Sequence, residues 1–224
     1  MSMMLSDCGL TDALRAGDSS ARMRTAMMAG THPDVAYLEP LIARLAVEPD
    51  FYVREMLTWA LTRLPHAAVL PRVVEELSAS SGQARSQALH TISKLGDASA
   101  WTAITADHLH DRDDEVARAA WRAAGSIVPD EDRRRLAVEL VRELGRGDFE
   151  VMRSLSRALI ELGEAARPLL EQVRDSSCPL TEEDASLRSR RQWLAALHAQ
   201  ATLRMLDDPS ASFSLEFAED CVAR

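Results

Sequence analysis

The stretch FYVREMLTWALTRL, which runs from Phe51 to Leu64, recurs in altered form four more times along this chain of 224 residues. The other copies are ARMRTAMMA from residue 21, QARSQALHTISKL from residue 83, DEVARAAWRAAGSIV from residue 114 and FEVMRSLSRALIEL from residue 149. Their equivalent positions are Met23, Arg54, Arg85, Ala117 and Met152. The copies therefore step by 31, 31, 32 and 35 residues, and self-similarity at such a period is typical of repeat architectures.

Each copy carries an apolar stripe with helical spacing. In the second copy the stripe consists of Leu57, Ala60, Leu61 and Leu64, which share one face of a helix with 3.6 residues per turn. Further helices are predicted over residues 37–47, 67–79, 101–110, 131–146 and 166–174, and a weaker sixth copy is centred on Arg191. Each repeat is therefore a helical hairpin. Because one hairpin cannot bury its stripe alone, we predict an all-α, right-handed α-solenoid of five to six hairpins, forming a single domain over residues 1–206.

The residues from 207 to 224 are predicted to form a separate C-terminal tail that is partly disordered. Asp207 to Ser212 includes Pro209 and breaks the helical pattern. Phe213 to Phe217 is the one segment whose alternation resembles a strand. It could also bind a partner or dock on the protein's own basic face, but a frayed terminus is the preferred interpretation.

The segments EPDFYVR (48–54) and DRDDEVA (111–117), each followed by an Ala/Leu helix, resemble HEAT repeats. The resemblance covers roughly residues 10–206. The run from Ala21 to Val128 is also similar to the repeat region behind the DNA-binding domain of some MerR-type bacterial regulators, although no winged-helix segment accompanies it here. The resemblance implies that the second helix of each hairpin lines a concave surface on which partners bind.

The same resemblance implies a ladder in which an acidic turn residue pairs with an arginine at the start of the second helix. Glu48 and Arg54 fit this pattern. The third copy keeps Arg85 but has Ala79 in the acidic place, and the fourth keeps Asp111 but has Ala117 in the basic place. We therefore predict a broken ladder.

The composition describes a chain that can bury a core and that carries an excess of negative charge. Apolar residues make up 46% and charged residues 27%, and the net charge is −9, which argues against a whole surface built for nucleic acid or anionic lipid. No apolar run is long enough to span a bilayer, and no secretory signal is visible. Cys8, Cys178 and Cys221 are odd in number and far apart. We therefore expect a cytoplasmic protein without disulfides or membrane contact.

The face opposite the apolar stripe gathers basic residues despite the net charge. From the equivalent positions of the five copies, one row along this face is Met28, Trp59, His90, Arg122 and Arg157, and the rows beside it are Arg24, Glu55, Ser86, Arg118, Arg153 and His32, Arg63, Lys94, Ser126, Glu161. The predicted partner-binding residues are Trp59, Arg63, His90, Lys94, Arg118, Arg122, Arg153 and Arg157. Guanidinium groups bind carboxylates and phosphates bidentately, so we predict a protein partner with an acidic or phosphorylated surface or peptide.

Two alternatives remain open for this face. The arginines could simply solubilise alanine-rich helices, since 25 of the 26 basic residues are arginine. Trp59 could be a binding anchor, as exposed tryptophans often are, or it could pack on a neighbouring repeat. Trp101 and Trp121 are expected in the core.

Catalytic motifs are not evident. The chain contains no GxGxxG, P-loop, HExxH or GxSxG pattern. The segment DHLHDRDDE (107–115) could hold a divalent metal, but an Asp-rich stretch before a helix is more typical of an N-cap. We predict no enzyme, no metal and no cofactor. The alternative is a nucleic-acid-binding protein or a HEAT-like DNA glycosylase that uses the basic groove, with Trp59 and either Glu55 or Glu161 as its raw material.

Overall fold

The computed structural model describes residues 7–176 and 187–215. In this part of the chain, all regular secondary structure is helical. The α-helices are α1 (Asp7–Leu14), α2 (Ser19–Thr31), α3 (Leu38–Leu45), α4 (Phe51–Arg63), α5 (His66–Glu75), α6 (Gly82–Leu95), α7 (Ala106–Leu109), α8 (Asp114–Ile127), α9 (Arg133–Val141), α10 (Phe149–Leu162), α11 (Arg167–Asp175) and α12 (Leu187–Asp207). Cys178, Cys221 and the tail beyond Leu215 lie outside the described residues.

The helices form two layers. The even-numbered helices pack on one another in chain order, from α2 on α4 through to α10 on α12. The odd-numbered helices form the other layer, in which α1 packs on α3, α7 on α9 and α9 on α11. Six hairpins are therefore stacked within the described residues, and the predicted all-α solenoid of helical hairpins is confirmed. None of the described helices combines the length and apolar character needed to cross a bilayer.

The recurring polar turn before each even helix is an N-cap. The side chains of Asp18, Asp50, Ser81, Asp113 and Asp148 each accept a hydrogen bond from a main-chain N–H in the first turn. Such caps satisfy donors that the helix itself leaves unpaired. They also fix the register of the repeat, and the steps between caps are 32, 31, 32 and 35 residues.

The caps correct the sequence register of the first copy. Four residues after the caps stand Arg22, Arg54, Arg85, Ala117 and Met152. The equivalence assigned to Met23 is therefore wrong by one residue. The side chain that starts the series is Arg22, which is 5% exposed.

The fourth hairpin also departs from expectation. Its first helix, expected over residues 101–110, is split into a 3-10 helix, Ala98–Ala103, and the single turn of α7. The main-chain N–H of Thr105 donates to Nδ1 of His108 over 3.1 Å, which caps a new helix rather than continuing the old one.

The predicted core residues are buried. Leu57, Ala60 and Leu61 of the second copy are fully buried. Trp121 is also fully buried and donates to the carbonyl of Leu109, and Trp101 is buried and donates to Asp132. Both tryptophans satisfy their N–H while filling the interior, as buried indoles usually do.

The arginines at the start of α2, α4 and α6 fold back onto their own turns. Arg22 donates to the carbonyls of Ala16 and Gly17, Arg54 to those of Glu48 and Pro49, and Arg85 to those of Ala79 and Ser80. Carbonyls that would otherwise lie unpaired beside the joint are thereby satisfied.

The acidic turn residues of the ladder pair with arginines of the preceding copy. Glu48 is completely buried, and it accepts hydrogen bonds from Arg22 at 2.8 Å and from Arg44 at 2.7 Å. The predicted pairing of Glu48 with the Arg54 side chain is therefore wrong, because Arg54 reaches only the main-chain carbonyl of Glu48. Arg85 pairs with Asp111 at 3.0 Å, so the two halves that looked unmatched within their own copies complete one rung between copies three and four.

At the joint between copies four and five, the arginine comes from the later copy instead of the earlier one. Ala117 has no guanidinium to offer, and Arg146 stands where the acidic residue would be. Arg146 reaches back to the main-chain oxygen of Asp111 and to the carboxylate of Asp114, whose Oδ1 lies 2.8 Å from Nη2. The carbonyl that the missing arginine would have satisfied is thus satisfied from the next copy.

The last joint is closed by neutral groups. The N–H of Gly145 donates to Nδ1 of His198 over 3.0 Å, so the proton of a neutral ring is on Nε2, 3.0 Å from Oγ of Ser156. Oγ of Ser156 lies 2.8 Å from Oγ1 of Thr202, which donates to the carbonyl of His198. Ser156, His198 and Thr202 are all fully buried.

The described part of the tail packs on this joint. Phe213 is 7% exposed, and its ring lies 5.0 Å from that of Phe149 and 5.5 Å from that of His198. Residues 211–215 have no regular secondary structure. Phe213 therefore belongs to the packed solenoid rather than to a frayed end, while Phe217 lies outside the described residues.

Candidate partner-binding face

The N-caps define which side chains share the outward face of the even helices. Positions five, nine and thirteen residues after each cap lie one turn apart on one side of a helix. The middle row is Met27, Trp59, His90, Arg122 and Arg157, and its flanking rows are Met23, Glu55, Ser86, Arg118, Arg153 and Thr31, Arg63, Lys94, Ser126, Glu161. We call these three rows the second-helix face.

The corrected register changes only the first copy. Arg24, Met28 and His32, which the sequence placed on this face, are replaced by Met23, Met27 and Thr31. Met27 is 45% exposed, whereas Met28 packs against the core. The predicted site residues of copies two to five keep their rows.

Side chains from three copies meet at His90. Its Nε2 lies 3.0 Å from Oε1 of Glu55 on α4, and its Nδ1 lies 3.4 Å from Nη1 of Arg122 on α8. Burial lowers the pKa of His90, and although Glu55 raises it, Arg122 and Lys94 lower it further. A guanidinium can only donate, so Nδ1 of the neutral ring accepts from Arg122 and its proton is on Nε2, facing Glu55.

A polar depression of about 190 Å³ lies around this histidine. It is lined by Phe51, Arg54, Glu55, Ser86, Gln87, His90, Glu115, Arg118, Ala119 and Arg122. Small-molecule pockets usually measure about 300 to 1,000 Å³. The depression therefore fits a single carboxylate, phosphate or side chain better than it fits a cofactor.

Two of the predicted arginines are engaged by carboxylates. Arg118 pairs with Glu115 at 2.8 Å and donates to Ser154, and Arg153 pairs with Glu150 at 2.6 Å. These two glutamates were not anticipated, although pairs three residues apart on a helix are a known signal. They divide the basic surface into short stretches.

The remaining cations of the face are exposed. Among the described carboxylates, none lies within ion-pair distance of Arg63, Lys94 or Arg157. Glu161 is the acidic residue that the fifth copy contributes to the face. Burial raises its pKa, and the charges of Arg122 and Arg133 lower it.

Trp59 both packs on a neighbouring copy and faces outward. A Cβ atom placed on Gly30 of α2 would lie 2.3 Å from Cζ3 of the indole, so the ring rests directly on that glycine. The side chain is nevertheless 38% exposed. The two alternatives considered for Trp59 are therefore compatible.

The segment from Asp107 to Glu115 is used in capping and in contacts between copies. Asp113 caps α8, and His110 lies between Glu143 at 2.6 Å and Glu139 at 2.9 Å. Burial alone would lower the pKa of His110, but the hydrogen bonds with the two glutamates raise it. Both ring nitrogens face carboxylates, so this histidine is a cationic link between α7 and α9.

Comparison with known proteins identifies the repeat type. Residues 38–123, which span α3 to α8 except for its last residues, match the family model for HEAT repeats, which confirms the HEAT-repeat resemblance for this part of the chain. A search of curated proteins found no match.

Two of the solved structures that match this chain are a repeat protein and a lyase complex. A designed armadillo repeat protein is 17% identical, with 85% of this chain and 98% of that chain covered and a TM-score of 0.45. The complex of CpcE and CpcF of phycocyanin lyase from Nostoc sp. PCC7120 is 19% identical, with 99% of this chain and 92% of that chain covered and a TM-score of 0.46.

Proposed function

We propose that this HEAT-repeat chain is a non-catalytic binding module that captures an acidic or phosphorylated segment of a partner protein on its second-helix face. Repeats of this type commonly mediate protein interactions. The observation that carries the proposal is the set of exposed cations Arg63, Lys94 and Arg157, which no described carboxylate neutralises.

The chemistry of the face suits carboxylates and phosphates. Arg118 and Arg122 line the depression beside His90, and a guanidinium fork binds two oxygens of one anion. The depression of about 190 Å³ has room for one such group. The surrounding cations supply the longer-range attraction that speeds association with an acidic partner.

The interleaved carboxylates favour a protein over a nucleic acid. Glu55, Glu115 and Glu150 stand among the basic residues of the face or beside them. A nucleic-acid backbone presents closely spaced negative charges, and its affinity grows with the number of phosphates neutralised. A discontinuous basic surface on a chain of net charge −9 suits separate acidic side chains better.

The test is peptide capture measured by fluorescence anisotropy. The ligands are a labelled ten-residue glutamate peptide, its phosphoserine counterpart and a labelled DNA duplex, all at about 0.15 M salt, where exposed charges are screened beyond ~8 Å. The double substitution Arg122→Glu and Arg157→Glu should weaken peptide binding at least about tenfold, because charged hydrogen bonds are lost and repulsion replaces them.

The matched control is Arg134→Glu, on α9, which is exposed and lies in the other helix layer. It should bind like the wild type. Equal binding by the double variant and the wild type would overturn the proposal. DNA binding that persists at this salt concentration and vanishes in the double variant would replace it with the nucleic-acid function.

A further inference from the structure

We infer that the captured segment has two parts, with one large apolar side chain that contacts Trp59 and Met27 and acidic residues that lie on Arg122 and Arg157. The inference rests on the proposed function and specifies the pattern of the partner sequence. It follows from a change along the second-helix face, whose middle row is apolar in the first two copies and basic in the fourth and fifth.

In the middle row, the first two copies form the apolar end of the face, although Glu55 and Arg63 flank Trp59. The first copy contributes Met23, Met27 and Thr31, none of which is charged. Met27 is 45% exposed, and Trp59 in the adjacent copy is 38% exposed. Helices α2 and α4, which carry these two side chains, pack directly on one another. Exposed apolar side chains that adjoin on one face mark an interaction site more than scattered ones do.

The fourth and fifth copies form the basic end of the face. Copies four and five contribute Arg118, Arg122, Arg153 and Arg157 to the same rows. Between the two ends, the third copy contributes His90, whose pKa is lowered, to the middle row, with Ser86 and Lys94 in the flanking rows. A ligand complementary to the middle row therefore carries an apolar group at one end, neutral residues in the middle and negative charge at the other end.

Trp59 is held ready for contact. The indole rests on Gly30, where a side chain would collide with the ring and would also lie 3.0 Å from Cα of Ala60. A ring that is already fixed loses little conformational entropy when a partner binds. Aromatic side chains held in this way are typical of the residues that dominate interface energies.

The stacking distance sets the spacing of the partner sequence. Packed helices lie about 8 to 10 Å apart, so two copies separate Trp59 from Arg122 by roughly 16 to 20 Å. An extended chain rises about 3.3 Å per residue. The first acidic residue therefore stands about five or six positions from the apolar one, and a second, facing Arg157, about three positions further.

The experiment uses three labelled peptides and the full chain. The first peptide has leucine, five serine or glycine residues and then four glutamates; the second replaces the leucine with serine; the third keeps the composition but places the leucine next to the glutamates. The wild type should bind the first peptide at least about tenfold more tightly than the other two. Neither of those can place a leucine on Trp59 and glutamates on the arginines at the same time, so one anchor contact is lost.

A double-mutant cycle assigns the gain to Trp59. Trp59→Ala should bind the first and second peptides equally, whereas the control Tyr52→Ala should keep the preference, because Tyr52 is 72% exposed on the same helix but outside the three rows. Circular dichroism checks that both variants remain folded. Met27→Ala, which leaves the indole in place, should reduce the preference.

The failures are distinguishable. If the wild type binds the first and second peptides equally, and Arg122→Glu with Arg157→Glu weakens both, the inference is overturned while the proposed function stands. If none of the peptides binds, both are overturned. A preference that survives in both Trp59→Ala and Met27→Ala also overturns the inference, since the apolar residue then sits elsewhere.

Discussion

The first and last joints of the solenoid are each closed by three polar side chains, but the first set is charged and the last is neutral. Arg22 and Arg44 enclose the carboxylate of Glu48 between copies one and two. Ser156, His198 and Thr202 close the joint between copies five and six. Polar groups buried between stacked hairpins are generally hydrogen-bonded. The first joint uses charged groups for this and the last joint uses neutral groups, so the two joints differ in their sensitivity to pH.

The two joints respond to protons in different pH ranges. Burial would raise the pKa of Glu48, but the hydrogen bonds from Arg22, Arg44 and the N–H of Asp50 outweigh it and hold the pKa at about 2. Burial lowers the pKa of His198 to about 4. Each native protonation state is therefore stabilised, the carboxylate of Glu48 by charged partners and the neutral imidazole of His198 by the absence of water.

The largest effect is expected from Glu48→Ala. The substitution leaves two cations without their common counter-ion, one of them buried, and breaking such a buried arrangement costs about 3 to 5 kcal/mol. Urea denaturation should show this loss in the free energy of unfolding. The control is Glu39→Ala, which removes the ion pair between Glu39 and Arg72. The carboxylate of Glu39 is 62% exposed, so this substitution should lower the free energy of unfolding by less than about 1 kcal/mol. Equal losses for the two variants would show that burial does not distinguish these pairs.

Acidification should weaken the last joint before the first. The folded pKa of His198 lies below the unfolded value of 6.5. The contribution of neutral His198 to the free energy of unfolding is therefore complete above pH 6.5. This contribution, about 3 kcal/mol, is lost as the pH falls to about 4. The contribution of Glu48 is complete above pH 4.5 and is lost as the pH falls to about 2.

Hydrogen exchange measured along the chain separates these two events. Amides of α12 should lose protection between pH 6.5 and 4, and those of α2 and α3 only below pH 4.5, after correction for the intrinsic pH dependence of exchange. His198→Gln should flatten the first transition. Earlier loss in α2 than in α12 would contradict the assignment.

A smaller effect is expected from two buried threonines. Thr202 is hydrogen-bonded to Ser156 and to a carbonyl, so Thr202→Val should cost about 1 to 2 kcal/mol. Oγ1 of Thr58 is buried and has no hydrogen-bond partner among the described residues, so Thr58→Val should be neutral or stabilising by up to about 1 kcal/mol. Thermal unfolding of the two variants gives shifts of opposite sign, and a clear loss for Thr58→Val would reveal a partner for that hydroxyl.

The smallest effect is expected from adding a rung. The joint between copies two and three has Arg54 but Ala79 in the acidic place. Ala79→Glu should stabilise the chain by at most about 1 kcal/mol, because Arg54 is partly exposed. The gain should disappear in the Arg54→Ala background. A gain that persists there would arise from something other than the ladder.

The repeat period and the Ala/Leu stripe were sufficient to predict the layered helices, and most of the candidate face followed from them. The register of the first copy was missed because Met23 and Arg22 are adjacent and both fit a loose pattern. The cap residue Asp18 was the signal that decides between them. The pairs of Arg118 with Glu115 and of Arg153 with Glu150 could also have been found from their spacing.

Other contacts could not have been predicted from one sequence. Ser156 and His198 stand 42 residues apart, and neither lies in a recognisable motif. The partner of Glu48 was assigned within its own copy because sequence proximity suggested Arg54. Its actual partners are Arg44, four residues away, and Arg22, which is 26 residues away and meets Glu48 only after two hairpins have stacked.

The reversed rung at Arg146 makes the copies unequal as units of deletion or duplication. Removing the third copy would bring Arg54 opposite Asp111 and create an acid–base rung at the new junction. Removing the fourth copy would bring Arg85 opposite Arg146, and two guanidinium groups would then meet where the chain has placed opposite charges. Deletion of the third hairpin should therefore leave a chain that folds, whereas deletion of the fourth should destabilise it. The positive charge of Arg146 thus limits which hairpins can be neighbours.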